Sequence, residues 1–171
     1  MNELTARELS VADVSEIRRL AGDIWHRVYN DLLSREQLVY MLDWMYGEDQ
    51  LITELFSPHM QWWFFEMNSS TDPIGYAAGC PGEAEGEWHL HKFYLHPKHH
   101  GQGLGSRGLQ WLIQNATHDG HSEMTLRVNR FNQAANRCYE RNGFVRIKEI
   151  CTDIGHGFVM DDYWMSRRLG G

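Results

Sequence analysis

The sequence predicts a mixed α+β fold in a single domain, and three features of its pattern support this prediction. Apolar residues recur at helical spacing early in the chain and again near its centre. Bulky and aromatic runs typical of strands fill most of the remainder. These runs are joined mainly by short turns, which favours strands that pair with their neighbours along the chain. Its 171 residues are enough to bury one core.

The first elements are predicted from caps and periodicity. Residues 4–9 are a short strand candidate, and Ser10 precedes a helical stripe that runs from Val11 to Ile24. Ser34 and Gln37 form a capping-box pattern, which opens a second helix that ends at Gly47. The later elements are predicted as strands at 61–67, 74–79, 88–95, 124–128, 144–152 and 158–167, helices at 104–118 and 133–141, and turns at 68–73 and 81–86.

Composition excludes several classes of protein. No apolar run approaches the roughly 18 residues of a membrane span, and the polar first eight residues do not resemble a signal peptide. A net charge of −7 disfavours non-specific binding to nucleic acid. Cys80, Cys138 and Cys151 show no CxxC spacing, so we expect no disulfide framework, no cysteine metal site and a reducing cytoplasmic setting.

The charges are unevenly distributed along the chain. Residues 36–91 contain no Lys or Arg but many acids, whereas residues 92–148 are predominantly basic. Two ligands of opposite charge would explain this division. Ordinary solvated surface of both signs explains it equally well.

A glycine-rich loop, Gly101 to Gly108, follows a predicted strand and opens a predicted helix. Glycines let backbone N–H groups approach an anion, and the start of a helix adds partial positive charge, so the loop predicts a phosphate cradle. A dinucleotide fingerprint is rejected because the acid at the required spacing, Glu123, precedes the next strand instead of ending it. A P-loop is rejected because no Gly-Lys-Ser/Thr follows.

Two motifs together resemble the GNAT acetyltransferase family. The first is Phe93-Tyr94-Leu95-His96-Pro97, three residues and then Gly-x-Gly-x-Gly. The second is Asn…Ala…Tyr-Glu…Gly-Phe over residues 132–144. The N-terminal half is similar to a bacterial subgroup that includes polyamine-type acetyltransferases. The resemblance implies a mixed, mostly antiparallel central sheet of about six to seven strands with about four flanking helices, and a splay at the cofactor strand.

The resemblance also implies where acetyl-CoA binds. In the family, the strand before the loop pairs with the pantetheine arm, the loop amides bind the pyrophosphate, and an Asn at the head of the later helix contacts the cofactor. The matching residues are Phe93, Tyr94, Leu95, Gly101, Gln102, Gly103, Leu104, Gly105, Ser106 and Asn132. His100 departs from the usual Arg or Gln, but the contact there is largely through backbone, so we expect binding to survive.

Two chemical roles remain, a proton donor for the leaving thiolate and a base for the amine. Tyr139 matches the family tyrosine whose hydroxyl lies near the CoA sulfur. The alternative is that Tyr139 only packs in the core.

The candidate bases are His89 and His91, with Glu87, which alternate on one strand. The run His89-Leu90-His91 resembles serotonin N-acetyltransferase, whereas Arg127 replaces the glutamate base of another family branch. His91 as a purely structural residue is the alternative.

The expected reaction is direct attack of a primary amine on acetyl-CoA in a ternary complex. Acids and aromatic side chains near the family's acceptor groove favour a small basic amine or polyamine, although many of these residues fit a core equally well. They are Asp43, Glu48, Asp49, Asp161 and Asp162, with Trp25, Tyr29, Trp44, Trp62, Trp63 and Trp164.

Several alternatives remain open. The acceptor could be a peptide or protein amine, or the chain could be an acyl-CoA-binding module without turnover. A metal site among His89, His91, His96, His99 and His100 is disfavoured because the loop is assigned to phosphate. We expect neither a nucleic-acid nor a membrane partner, and the resemblance allows a homodimer because dimers are common in the family.

Overall fold

The computed structural model describes residues 3–170, which form seven strands and five α-helices. The strands are β1 (Leu4–Glu8), β2 (Gln61–Met67), β3 (Ser70–Pro81), β4 (Glu87–Leu95), β5 (Glu123–Asn129), β6 (Val145–Gly155) and β7 (Phe158–Arg168). The helices are α1 (Val14–Val28), α2 (Arg35–Tyr46), α3 (Glu48–Phe56), α4 (Leu104–His118) and α5 (Gln133–Arg141). Within the described residues, no helix is long and apolar enough to cross a bilayer.

The strands form one sheet in the order β1-β2-β3-β4-β5-β7-β6. β4 and β5 run parallel, whereas β1 with β2, β2 with β3, β5 with β7 and β6 with β7 are antiparallel. The mixed, mostly antiparallel α+β fold is therefore confirmed. The parallel pairing of β4 with β5 joins Glu87–Leu90 to Glu123–Leu126 and ends before His91 and Arg127. The predicted splay is expected to begin at this point.

The chain divides into two compact units. The first comprises residues 3–79 and 92–104, and the second comprises residues 80–91 and 105–170. In the first unit, α1 buries the predicted stripe through Val14, Ile17, Leu20 and Ile24, while Val11 is exposed within a short 3-10 turn that precedes the helix. In the second unit, β7 lies between β5 and β6 and pairs with both along its length.

Helix α3 was not predicted from the sequence. The second helix does end at Gly47, as predicted, but Gly47 is not in the left-handed conformation of a typical C-cap, and α3 begins at the next residue. A Cβ at Gly47 would lie 2.7 Å from the Asp43 carbonyl oxygen, so this close approach explains the glycine. The capping hydroxyl of Ser34 accepts the Gln37 backbone N–H at 3.1 Å, as expected.

Two segments that join strands differ from the prediction. The turn at 68–73 is wrong, because β3 begins at Ser70 and Pro73 lies inside it, opposite Glu66 where the register shifts. A bulge is one of the few places at which a strand accommodates proline. Strand β6 extends to Gly155, beyond its predicted end, because His156 and Gly157, both with positive φ, form a tight hairpin turn before β7, which begins at Phe158 as predicted.

Candidate active site

The glycine loop of the first unit has the backbone conformation of a ligand cradle. Gly101 and Gly103 have φ angles of 75° and 74°, in the left-handed region that favours glycine. A Cβ built at either position meets no atom within 4 Å. Backbone conformation, and not crowding, therefore requires glycine here, and open space lies beside the loop. These features fit the pyrophosphate of a CoA cofactor.

Side chains of this loop turn back on the loop itself. The Nε2 atom of His100 donates to the Leu95 carbonyl oxygen at 3.0 Å, and the Gln102 amide donates to the Lys98 carbonyl oxygen at 3.3 Å. His100 therefore stabilises the turn after β4 in the place where the family usually has Arg or Gln. This agrees with the expectation that the loop binds its ligand mainly through backbone groups.

Tyr94 and Leu95, on the strand before the loop, anchor that strand by their side chains. Leu95 is buried. The Tyr94 hydroxyl lies 3.4 Å from the Tyr29 hydroxyl. Burial, and then the neighbouring tyrosines Tyr29, Tyr46 and Tyr76, raise the pKa of Tyr94 well above its usual value. The phenol therefore stays protonated and serves as a packing residue that fixes this end of β4.

His96, which lies between β4 and the loop, has partners other than a metal. His96 is buried, its Nε2 atom lies 2.8 Å from an Asp23 carboxylate oxygen, and its Nδ1 atom accepts the Lys98 backbone N–H at 3.2 Å. Within residues 3–170, no group of three or more His, Cys, Asp or Glu side chains has an arrangement that could hold a metal ion.

The second unit brings Glu87, His89 and Thr125 into direct contact. Thr125 is the register partner of His89 on β5, and it is buried. Its hydroxyl donates to Glu87 Oε1 and lies 2.7 Å from His89 Nδ1. Because one hydroxyl reaches both side chains, Glu87 and His89 lie on the same face of β4, as the alternation predicts.

His89 is held in a confined position among aromatic rings. Its ring stacks on Trp164 of β7 with centroids 5.0 Å apart, and it meets the His91 ring edge-on at 4.6 Å. Burial is the main cause that lowers the pKa of His89 to about 4; His91 and Arg127 act in the same direction, and Glu87 opposes them. His89 is therefore a neutral imidazole at physiological pH.

Glu87 remains ionised although it is buried. Burial alone would raise its pKa, but hydrogen bonds from Thr125 and from the Ala84 backbone N–H, together with His89, outweigh burial and lower it. A carboxylate in which both oxygens accept hydrogen bonds is poorly placed to take a proton from a substrate. The geometry favours the histidines over Glu87 as the base.

Cys80 is a neighbour of His91 that the sequence did not reveal. The Cys80 sulfur lies 3.2 Å from His91 Nε2, at the end of β3. His91 is exposed, and Cys80 is half-buried and forms no disulfide within the described residues. The eleven-residue separation gives no recognisable motif, because the contact depends on strand pairing rather than on local spacing.

Acids predicted to attract a cationic substrate are partly engaged by arginines of this chain. Asp162 is buried and pairs with Arg127 at 2.9 Å, and Arg127 also donates to the Thr152 hydroxyl. Asp161 lies 3.5 Å from Arg130. These two aspartates thus neutralise local arginine charge. In the first unit, Asp43 and Asp49 are exposed, and the exposed Glu48 lies 3.7 Å from Arg18.

Several of the predicted aromatic residues pack in the interior or contact cations of this chain. Trp25 and Trp62 are buried. The ammonium of Lys92, itself buried, lies 4.8 Å from the Trp62 ring centroid and 3.0 Å from a Glu54 oxygen. Trp25 and Trp62 therefore belong to the core and not to an acceptor groove, whereas Trp44 is half exposed.

Helix α5 carries Tyr139, and Asn132 caps its start. The Asn132 side-chain oxygen caps this helix by accepting the Ala135 backbone N–H at 3.2 Å. Tyr139 is 7% exposed and packs edge-on against Phe144, with ring centroids 5.7 Å apart. The structure therefore shows a helix cap and a packed ring, and the roles of both residues toward the cofactor stay predictions.

Asn142 is a structural residue that the sequence analysis read only as a helix stop. Its amide nitrogen donates to the Ser106 hydroxyl at 3.0 Å, and its amide oxygen accepts from Gln110 at 2.9 Å. It thus ties the end of α5 to the first turns of α4. Ser106, predicted to bind the cofactor, is positioned by this contact.

The comparisons with known proteins identify the family of this chain. A profile of the acetyltransferase (GNAT) family matches residues 15–144, which is most of the chain. No match was found among curated proteins. The chain belongs to the GNAT acetyltransferase family, and as such it is an N-acetyltransferase that uses acetyl-CoA.

Solved structures show the same fold at low sequence identity. The PaiA N-acetyltransferase of Thermoplasma acidophilum, solved in complex with coenzyme A, has a TM-score of 0.80 at 20% identity, covering 97% of this chain and 99% of that one. A GCN5-related N-acetyltransferase of Rhodopseudomonas palustris has a TM-score of 0.79 at 17% identity, covering 99% and 98%. A chimera of the Vibrio cholerae spermidine N-acetyltransferase SpeG has a TM-score of 0.73 at 19% identity, covering 95% and 93%.

Proposed function

We propose that this enzyme acetylates the primary amine of a small basic molecule, with polyamines as the favoured class. The observation that carries the proposal is the pair of adjacent histidine rings on β4, of which His89 is neutral at physiological pH. An alkylammonium with a pKa near 10.4 is almost fully protonated at pH 7, so attack requires a group that accepts its proton.

The cofactor is assigned to the residues whose geometry suits it. The backbone groups of Phe93–Leu95 hold the pantetheine arm, the loop Gly101–Ser106 holds the pyrophosphate, and Asn132 contributes a contact from the head of α5. When bound, acetyl-CoA supplies the acetyl group as a thioester. The open space beside Gly101 and Gly103 supports this assignment.

The proton chemistry is assigned to three side chains. His89 and His91 take the proton of the incoming amine, directly or through water, and Tyr139 donates to the leaving sulfur. The neutral state of His89 supports its part in this assignment, because a neutral imidazole carries the lone pair that accepts a proton. The exposure of His91 supports access from solvent.

The substrate class is supported by the charge of the first unit. Asp43, Glu48 and Asp49 are exposed on or beside α2 and α3, in the segment that contains no basic residue. Such a field raises the local concentration of a polycation and is screened by salt. The SpeG chimera of Vibrio cholerae, a spermidine N-acetyltransferase of similar fold, supports the same substrate class.

We also propose that residues 1–171 act as a single GNAT domain in the cytoplasm. The three free thiols within the described residues are compatible with a reducing compartment. Light scattering of the purified protein measures its oligomeric state and tests whether it forms a homodimer.

An amine panel tests the proposed function. The purified enzyme is incubated with acetyl-CoA and spermidine, an arylalkylamine, amino acids or short peptides, and thiol release and product mass are recorded. We expect the highest kcat/KM for the polyamine, with a KM that rises with ionic strength. Preferred acetylation of peptide N-termini would overturn the substrate class, and thermal stabilisation by CoA without turnover on any amine would overturn the reaction.

A further inference from the structure

Three side chains of the second unit form a continuous hydrogen-bonded chain. Glu87 Oε1 is bonded to the Thr125 hydroxyl, which in turn lies 2.7 Å from His89 Nδ1. The other Glu87 oxygen accepts the Ala84 backbone N–H at 3.1 Å. Thr125 is 4% exposed and Glu87 is 8% exposed, so water does not readily replace these contacts.

The direction of each hydrogen bond follows from the number of protons available. A carboxylate can only accept, so the single hydroxyl proton of Thr125 points to Glu87. The Thr125 oxygen is then left with lone pairs toward His89, and the short contact requires a proton on His89 Nδ1. A neutral imidazole with Nδ1 protonated carries its free lone pair on Nε2.

From this chain we infer that Glu87 and Thr125 are positioning residues, which fix His89 as the Nδ1–H tautomer and present Nε2 as the proton acceptor. The inference deepens the proposed function and rests on it, because it names the atom of His89 that receives the amine proton. Within residues 3–170, Nε2 of His89 has no hydrogen-bond partner.

The step transfers one proton to His89 and passes none on to Thr125 or Glu87. The amine N–H bond breaks, the proton binds Nε2, and the electron pair left on nitrogen is available for attack. The resulting imidazolium keeps its Nδ1–H bond to Thr125, and Glu87 remains ionised, so the negative charge stabilises the new positive charge through one intervening hydroxyl. Thr125 itself is neither protonated nor deprotonated in the step.

The charges around His89 oppose this stabilisation, which makes the Glu87 carboxylate important. His91 lies edge-on to the ring, and Arg127 on β5 adds a positive charge that is largely balanced by its ion pair with Asp162 on β7. On β6, the Lys148 ammonium lies 5.4 Å from the centroid of the Trp164 ring, on which His89 stacks. Among the charged groups that surround His89, Glu87 is thus the anion that favours the protonated form of His89.

The variants are chosen to separate the role of the Thr125 hydroxyl from that of the Glu87 charge. Thr125→Val removes the hydroxyl and keeps the branched shape and strand preference, whereas Thr125→Ser keeps the hydroxyl. Glu87→Gln removes the charge. Thr117→Val is the matched control, since its hydroxyl bonds only to the Ile113 carbonyl on α4. Circular dichroism and Tm establish that each variant is folded.

The direct readout is the nitrogen-15 NMR spectrum of histidine-labelled protein, which distinguishes protonated from unprotonated ring nitrogens. The His89 signals are assigned by their loss in His89→Gln. We expect an Nδ1–H tautomer in the wild type and in Thr125→Ser, and a mixed or Nε2–H tautomer in Thr125→Val. An Nε2–H tautomer in the wild type would overturn the inference.

The kinetic readout uses the best amine of the panel. Removal of a group that orients a catalytic side chain costs about 10- to 100-fold in activity in comparable cases; we expect that loss in kcat for Thr125→Val, with a nearly unchanged KM. Thr125→Ser and Thr117→Val should retain wild-type kcat within about threefold. A wild-type kcat in Thr125→Val would overturn the positioning role. If the wild type acetylates no amine, the proposed function fails while the NMR result still decides the tautomer.

Discussion

The glycine loop and the histidine network use opposite parts of the polypeptide. The loop, residues 101–106, presents backbone, and the side chains of His100 and Gln102 bond back to the carbonyls of Leu95 and Lys98, which precede the loop. The network around His89 is built from side chains that contact one another across β4 and β5. Substitutions in the two regions should therefore have different effects, because the loop depends on backbone conformation and the network depends on the identity of each polar side chain.

The largest effect is expected for His89→Gln. General acid–base groups contribute about 10²- to 10⁴-fold to rate, so kcat should fall by at least about 100-fold, because glutamine cannot accept the amine proton. Steady-state kinetics with the best amine measures this loss. His118→Gln, at an exposed position on α4, is the control and should be unaffected. A His89→Gln enzyme with wild-type kcat would remove His89 from the proton path.

Gly103→Ala should weaken cofactor binding without creating a clash. Its φ of 74° is unfavourable for alanine, although the added Cβ meets open space. A strained residue costs about 1–3 kcal/mol, so the Kd for CoA should rise by about 5- to 100-fold when the loop relaxes away from the cradle. Calorimetry measures the Kd.

Gly120→Ala is the matched control for the loop glycine. Gly120 also has a positive φ, 89°, and open space around a built Cβ, but it lies in the turn after α4. Both variants should lose similar stability, and only Gly103→Ala should lose CoA affinity. Equal affinity in both variants would contradict the role of the loop.

The neutral state of His89 predicts a pH dependence of stability. Its pKa is about 4 in the folded protein and about 6.5 when unfolded, so the unfolded state binds the proton first as the pH falls. The contribution is complete above about pH 6.5 and is lost as the pH falls toward 4; its upper size is about 3 kcal/mol.

Denaturant unfolding between pH 7 and pH 4 measures this dependence. The wild type should lose more stability over this range than His89→Gln, in which the titrating ring is absent, while acid-sensitive groups elsewhere affect both proteins equally. Parallel curves for the two proteins would show that His89 is not held neutral by its surroundings.

The smallest effect is expected for His100→Gln. The imidazole donates to the Leu95 carbonyl, and a glutamine amide can replace that neutral hydrogen bond, which is worth about 1 kcal/mol. CoA affinity should stay within about threefold of the wild type by calorimetry. A tenfold change would indicate that the side chain contacts the ligand directly.

Local pattern was enough to predict some of these features and not others. The glycine turn between β4 and α4 was predictable because its glycines lie close together in the sequence, and the common face of Glu87 and His89 was predictable from strand alternation. The contacts of Thr125 and Cys80 were not, because they depend on strand pairing between distant segments. Helix α3 was missed because it begins directly after Gly47, which was taken only as a helix end. Asn142 was understood as a stop signal, although its side chain also ties α5 to Ser106 and Gln110.

The division of work between the two regions is tested most directly by measuring CoA affinity and kcat together in two variants. For His89→Gln, we predict a CoA Kd within about twofold of the wild type and a kcat lowered at least about 100-fold. For Gly103→Ala, we predict the reverse: a weakened Kd and, at saturating cofactor, a kcat within about threefold of the wild type. Loss of CoA binding in His89→Gln with no separate effect on kcat would contradict the account.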